Sequence, residues 1–402
     1  MLTNDLHGPV ATAYAHLVGL MGLLPPDLSN QMDLEHIAAV KQRWPVWPTP
    51  ALSDLVGPPN VILKTLDLRW LHRFEATVLL LNQLSRLLGG PEGGPSGLSL
   101  IVERAPLYSH RGWGETSAGG SCRILNAADG AIAVNLPREE DLASVPAWLE
   151  VSPQDDIWGV IESGISERST QELIRRSEYL GMAVSAVGEA SAIQRPLLGP
   201  TRNAQLQPNL TVVDLSSMWA GPLCGWFLAR NGATVFKVES PRRPDRGRLQ
   251  GTAFYKRLNH GKQLVEIDFD SKEGKKRLDE LIEKADVIIE SSRPRALEAL
   301  GISAEKQVQR GAIWCSITGY GRHNHPKRIG FGDDAAAAGS LLASVDDALW
   351  FIGDAAADPI TGTTAALLIL GYIYSGVPAF LDVSLAGSVA THTLNELPKG
   401  KI

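Results

Sequence analysis

The sequence predicts an α/β protein: a doubly wound, mostly parallel sheet in the second half, a second, smaller α/β domain before it, and an N-terminal helical segment. Three observations predict it. From residue 210 onward, short β-branched runs alternate with helical runs, which implies parallel pairing through right-handed crossovers. Between residues 120 and 135, two strand-like runs flank Asp129-Gly130, a hairpin signal. Between residues 195 and 209 there are three prolines and no periodicity, which reads as a linker. The divisions that follow are 1–104, 105–200 and 201–402.

In the N-terminal segment, helix packing is the expectation throughout. One helix covers His16 to Gly22 and another runs over about 70–88, with Asp67 read as its cap. Residues 89–95, Gly-Gly-Pro-Glu-Gly-Gly-Pro, read as a flexible loop. The small domain contributes the hairpin, then Trp148-Leu149, a helix over 171–180, and Gly181-Met182-Ala183-Val184.

The large domain opens on a strand over 210–215 and a helix over about 222–231, stopped by Gly232. Strands follow over 233–239 and 264–269. A charged helix over 272–285 leads into a strand over 287–290. A further helix begins near Pro294 and ends at Gly301, before a strand over 313–318. This is the pattern of a Rossmann-like sheet. No GxGxxG follows the first strand, and there is no GxxxxGK[ST], so neither NAD-type nor P-loop binding is indicated.

Composition narrows the class. The chain has 402 residues, 44% apolar and 20% charged, the profile of a globular protein with two or three domains. A net charge of −6 gives no sign of a nucleic-acid partner. Cys122, Cys224 and Cys315 are far apart and form no CxxC pair, which argues against a zinc site or a disulfide framework and fits a reducing cytoplasm. Met1 to His7 lacks the basic and apolar regions of a signal peptide. The apolar run over 365–374 is too short to span a bilayer.

In a doubly wound sheet, ligands bind beyond the carboxyl ends of the strands. That selects four loops: 216–222, 239–248, 290–295 and 318–322. Three carry arginine, and the second carries most: Arg242, Arg243, Arg246 and Arg248. Arginines gathered at one sheet edge of an acidic protein point to an anionic ligand, most simply phosphates. The competing reading is a set of solvated loops.

Asp358 is the candidate for chemistry. It precedes Ile360-Thr361-Gly362, read as a turn, and a buried apolar helix. Near a helix N-terminus the dipole favours its ionised form, and an ionised carboxylate can attack an activated acyl group. On local sequence alone the helix-cap reading wins, because caps are far commoner than nucleophiles.

The stretch Val213-Asp214-Leu215 to Ala220-Gly221-Pro222 resembles the opening of class III CoA-transferases, the CaiB–BaiF family. The likeness continues in order through Gly232 to Glu239, Leu258-Asn259-His260-Gly261-Lys262, Ala285 to Pro294, and Ser316 to Gly321. It ends with Ala357-Asp358-Pro359-Ile360-Thr361-Gly362 and Leu381 to Leu385, covering about half the chain. The Ala128-Asp129-Gly130 hairpin is similar to the family's small domain, which normally follows the large one. Here it precedes it, as in a permuted chain or a truncated tandem.

The resemblance implies an acyl-CoA:carboxylate CoA-transferase in which Asp358 relays the acyl group and then CoA. It implies coenzyme A or acyl-CoA as substrate and a carboxylic acid as acceptor. No tightly bound cofactor, metal, nucleic acid or membrane is expected, and a homodimer is. Candidate CoA-binding residues are Trp219, Ala220, Ser240, Arg242, Arg243, Ser291, Ser292, Arg293, Thr318 and Tyr320. The family's racemase branch carries Gly-His-Asp upstream of the aspartate. Here Gly332-Asp333-Asp334 stands there, which makes 2-methylacyl-CoA racemisation the second reading. His323 and His325 lie nearby in a loop, and either Asp333 or Asp334 is expected to cap the next helix, over 335–342. A third reading is a non-catalytic acyl-CoA-binding paralogue.

Overall fold

The computed structural model describes residues 8–39, 45, 50–58, 66–200, 209–250 and 252–394. The Met1 to His7 stretch and residues 201–208 of the linker lie outside the described residues.

A smaller sheet is built on three antiparallel strands, β1 (Cys122–Ala127), β2 (Gly130–Asn135) and β3 (Ala183–Ala186), in that spatial order. Ala127 pairs with Gly130, so the hairpin turns on Ala128 and Asp129 alone. The Asp129 carboxylate accepts from Thr170 N–H at 2.7 Å and ties the turn to the helix Thr170–Leu180. Alternation along β2 decides the packing. Ile132 and Val134 face a core with Trp148, Ile161 and Leu173, whereas Ala133 joins Ala337, Leu342 and Phe351 from the second half of the chain.

The large sheet contains β4 (Leu197–Leu198), β5 (Thr211–Leu215), β6 (Thr234–Glu239), β7 (Gln263–Glu266), β8 (Val287–Glu290), β9 (Ile313–Thr318) and β12 (Ala379–Ser384). Between β9 and β12, β10 (Leu342–Val345) and β11 (Ala348–Phe351) form a separate hairpin. The sheet order is β4-β12-β9-β8-β5-β6-β7, and every pairing is parallel except β4 with β12. The chain runs from β5 outward to β7, then returns to β8 on the other side. The order therefore reverses between β5 and β8, and the crevice for a ligand opens there.

The helix Ala357–Tyr374 is the centre of the molecule. Apart from Asp358 and Tyr374, its residues are buried, so it carries no amphipathic period. It packs against the helices Ala220–Arg230, Arg69–Leu87 and Leu385–Thr393. The N-terminal helix Arg69–Leu87 buries thirteen residues, among them Leu71, Phe74 and Leu81, in the same apolar cluster as Leu367 and Leu370. Among the described residues no helix is long and apolar enough to cross a membrane.

Several local expectations change. Thr361 and Gly362 form no turn; they continue the helix, and Gly362 allows the close approach of a neighbouring backbone. The helix expected over 335–342 is Gly332–Ala338, and it stops because Gly339 is followed by Ser340 at φ 66°, which releases the chain into β10. The linker is not featureless, since Leu197 and Leu198 pair antiparallel with Phe380 and Ala379 at the open edge of the sheet. The strand expected over 264–269 ends at Glu266. Asp67 does take Arg69 N–H at 2.9 Å at the start of its helix.

Candidate functional site

A cavity of about 680 Å³ opens at the switch point. The loop after β5 contributes Ser217, Met218, Trp219 and Ala220; the loop after β8 contributes Ser291, Ser292 and Arg293; the loop after β9 contributes Thr318. Asp358 and Asp333 also border it. So do Arg104, Tyr108, His110, Asn135 and Arg138, all from the first half of the chain. Both halves of a single chain thus meet around Asp358.

Asp358 lies in the first turn of the helix Ala357–Tyr374, deep in the protein yet open to the cavity. Its Oδ1 accepts from Ala220 N–H at 3.3 Å, at the start of the helix Ala220–Arg230. Two helix N-termini therefore face one carboxylate. Gly332 lets this happen: a Cβ there would stand 2.3 Å from Asp358 Oδ2 and 2.7 Å from the Ala355 carbonyl oxygen.

The loops that present this carboxylate carry backbone strain. Met218 at φ 71° and Ala355 at φ 48° lie in the left-handed region, which costs a non-glycine residue free energy. Specific hydrogen bonds hold them. Met218 N–H donates to Asp245 Oδ1 at 3.0 Å, Ser217 N–H to Ser291 Oγ at 3.1 Å, and Ala355 N–H to Asp333 Oδ1 at 3.0 Å. Asp245 in turn faces the buried Lys237 ammonium at 3.2 Å.

Electrostatics here run against the expectation that Asp358 is held ionised. Burial pushes its pKa up to about 7, against the opposing pull of Arg104 and the Ala220 N–H, while Asp333 and Asp354 raise it further. Burial, together with Asp354, also lifts Asp333 to about 6, opposed by Arg104, the Ala355 N–H and Ser117. Asp354 behaves oppositely. Burial alone would raise it, but bonds from His110 and Arg104 outweigh burial and bring it down to about 2. Arg104 Nε donates to Asp354 Oδ2 at 2.8 Å and Nη2 to Oδ1 at 2.5 Å, and His110 Nδ1 lies 3.1 Å from Oδ2. Asp334 is the capping residue of the pair: Oδ1 accepts from Phe331 N–H at 2.9 Å and from Asn135 Nδ2 at 2.8 Å, and Tyr320 donates to Oδ2 at 2.7 Å.

The other candidate residues divide. Trp219, Ala220, Ser291, Ser292, Arg293 and Thr318 border the cavity. Trp219 stacks edge-on to Phe254 with the Arg104 guanidinium 4.9 Å above its ring. Ser240, Arg242, Arg243 and Tyr320 lie outside its lining. Arg242 is exposed and pairs with Asp268 at 3.1 Å and Asp270 at 3.3 Å; Arg243 is also exposed. Tyr320 is buried beneath the Arg328 guanidinium, 3.7 Å from its ring centre. Of the two histidines, His325 borders the cavity, whereas His323 pairs with Asp382 at 3.1 Å. Sequence reasoning missed Arg104, His110, Asn135, Arg138 and Asp354. No local signal marks Arg104, His110, Asn135 or Asp354, whose partners lie some 200 or more positions away, and Arg138, paired with Asp141 and the Gly181 carbonyl, is marked only by its place in the cavity lining.

Residues 208–398 match the sequence model of CoA-transferase family III. The chain is 30% identical over 224 residues to a succinyl-CoA–D-citramalate CoA-transferase from Chloroflexus aurantiacus, covering 47% of this chain and 56% of that enzyme. It is 37% identical over 119 residues to a formyl-CoA:oxalate CoA-transferase from Bradyrhizobium diazoefficiens, covering 27% of this chain and 28% of that one. A crystal structure of a CAIB/BAIF family protein from Brucella suis aligns over 50% of this chain and 56% of its own, at 28% identity and a TM-score of 0.43. The chain thus spans about half, or less, of the length of the curated relatives it matches. Residues 208–398, just under half of the chain, are thus similar to CoA-transferase family III.

Proposed function

We propose that the protein is an acyl-CoA:carboxylate CoA-transferase with Asp358 as its nucleophile. The observation that carries the reading is the position of Asp358: a carboxylate beside the switch-point crevice of a family III region, receiving a backbone N–H from the helix that follows β5. The two curated relatives described above are named as CoA-transferases, which supports the same chemistry.

In this reading a carboxylate oxygen of Asp358 attacks the thioester carbonyl carbon, the C–S bond breaks, and CoA leaves as thiolate, giving a mixed anhydride. The thiolate then attacks the aspartyl carbonyl carbon and releases the donor acid, which leaves CoA as a thioester on Asp358. The acceptor carboxylate attacks that carbonyl carbon, and the thiolate finally takes the acceptor's acyl carbon and frees Asp358. Splitting one transfer into such exchanges between activated acyl groups lowers each barrier. Backbone N–H groups such as that of Ala220 are suited to the developing oxyanion. Trp219, Ser291, Ser292, Arg293 and Thr318 are assigned to the CoA chain along the cavity, and Arg242 and Arg243, exposed outside its lining, to the phosphates. In domain terms, residues 105–200 close the cavity against 201–402, and 1–104 serve as packing for the latter, with Arg104 at the end of that segment bordering the cavity. A homodimer belongs to the same reading, and light scattering at a mass of 43.3 kDa would remove it.

The test is covalent trapping. The protein is incubated with acetyl-CoA, succinyl-CoA or formyl-CoA, treated with hydroxylamine, and digested for mass spectrometry. A hydroxamate at Asp358 is expected, with none in Asp358→Asn. Full transferase activity in Asp358→Ala would sink the mechanism.

A further inference from the structure

A guanidinium has five N–H donors arranged along two usable edges. In Arg104, Asp354 occupies the edge formed by Nε and Nη2, at 2.8 and 2.5 Å. Asp354 is itself fully buried and also bonded to His110. Nη1 has no partner among the described residues, so the end-on edge, Nη1 with the second proton of Nη2, is unoccupied by protein. Arg104 borders the cavity with its side chain 18% exposed. Its plane is fixed from one side by Trp219, 4.9 Å away, and at the root by the Asp354 carboxylate. A planar cation fixed at one edge and open at the other, inside a cavity, matches a second carboxylate held by two parallel N–H bonds.

The chemistry of the cavity needs such a group. An incoming carboxylate enters a cavity bordered by Asp358 and Asp333, with Asp354 close enough to act on Asp358, and like charges at short range in a partly dry site repel strongly. Arg104 is the cation that acts most on Asp358. We propose that Arg104 holds the carboxylate of the acid that exchanges with Asp358, an assignment that rests on the transferase reading above. The ligand class is a carboxylic acid in its ionised form. In the exchange, the acid's oxygen bonds to the aspartyl carbonyl carbon as the C–S bond breaks and the thiolate departs. Arg104 forms no covalent bond and gives up no proton; it orients the anion and offsets its charge. It reaches this place from the first half of the chain, outside the matched family region.

The experiment is equilibrium binding of acetate, propionate, succinate and glutarate to the full chain by calorimetry, with and without saturating CoA. Wild type is expected to bind at least one acid measurably. Arg104→Gln is expected to weaken that acid roughly 10- to 100-fold, the range for losing hydrogen bonds to a charged group, with CoA affinity within about twofold of wild type. Arg104→Lys keeps the charge without the fork and is expected to fall between. Because Arg104→Gln strands the buried Asp354 charge, the double variant Arg104→Gln/Asp354→Asn serves if the single one does not fold. Unchanged acid affinity in either variant, equal loss of acid and CoA binding, or no acid binding by wild type would overturn the assignment. Acid binding that depends on Arg104 without any adduct at Asp358 would instead remove the transferase reading and leave Arg104 as the anion site.

Discussion

Asp358 concentrates a conflict between stability and reactivity. Its ionised form is the nucleophile in the proposed mechanism, yet burial holds its pKa at about 7. Activity as kcat/KM is therefore expected to rise with pH, close to tenfold per unit below 7, and to level off above it. A flat profile between pH 5.5 and 7 would contradict this. The linkage sign follows from the same shift. Between the unfolded value near 4 and about 7, the folded state holds a proton that the unfolded chain has released, so this group's contribution to stability falls as pH rises and is lost above about 7. Asp358→Asn keeps an oxygen to accept from Ala220 N–H and removes the buried charge. It is expected to be inactive but more stable than wild type at pH 8, by about 1–3 kcal/mol in urea unfolding, with the difference shrinking at pH 5. The sequence singled out this aspartate as the candidate because a family-like motif surrounds it. Its protonation was not legible there, because burial and the charges of Arg104, Asp333 and Asp354 come from elements distant in the chain.

At the scale of elements, the contact between the helices Ala220–Arg230 and Ala357–Tyr374 sets the geometry of the site. Gly362 makes that contact close: an added Cβ would stand 2.5 Å from the Ala220 carbonyl oxygen and 3.1 Å from Leu223 Cβ. Ala220 is also the residue whose N–H reaches Asp358. Gly362→Ala is therefore expected to cost about 1–3 kcal/mol by overpacking and to reduce kcat at least roughly tenfold as the helices separate. Thermal unfolding and steady-state rates check it together; a stable variant with unaltered kcat would show that the contact does not govern the site. Strand identities along 210–318 were readable because β-branched runs and capped helices carry their own local signals. The β10–β11 hairpin and the short β4 were not, since Ser340 in the left-handed region and the open edge of β12 create them.

For the molecule as a whole, the two halves share one core. Phe74 from the N-terminal helix Arg69–Leu87 is fully buried in the cluster that contains Leu367 and Leu370, and Arg73 Nη1 donates to the carbonyls of His392 and Thr393 at 3.0 and 3.1 Å. A further tie runs from His16 through Thr77 to His392, at 2.9 Å for each bond. Phe74→Ala is expected to destabilise by about 3–5 kcal/mol. Probes in residues 105–200 and in the large sheet should lose structure at the same denaturant concentration. A separate early transition confined to the N-terminal helices would show that they fold on their own.

Local pattern in this chain determined the doubly wound sheet and the β1–β2 hairpin, and a family-like motif singled out Asp358 as the candidate. Each depends on residues close in sequence: alternation, caps, turns and a contiguous motif. The tertiary structure decided which residues surround that aspartate. Arg104 and His110 bond the neighbouring Asp354 across 250 and 244 positions, and Asn135 reaches Asp334 across 199. A buried charge acquires its pKa, and a guanidinium its free edge, only from neighbours that folding brings together, and those neighbours have no spacing that a sequence can display.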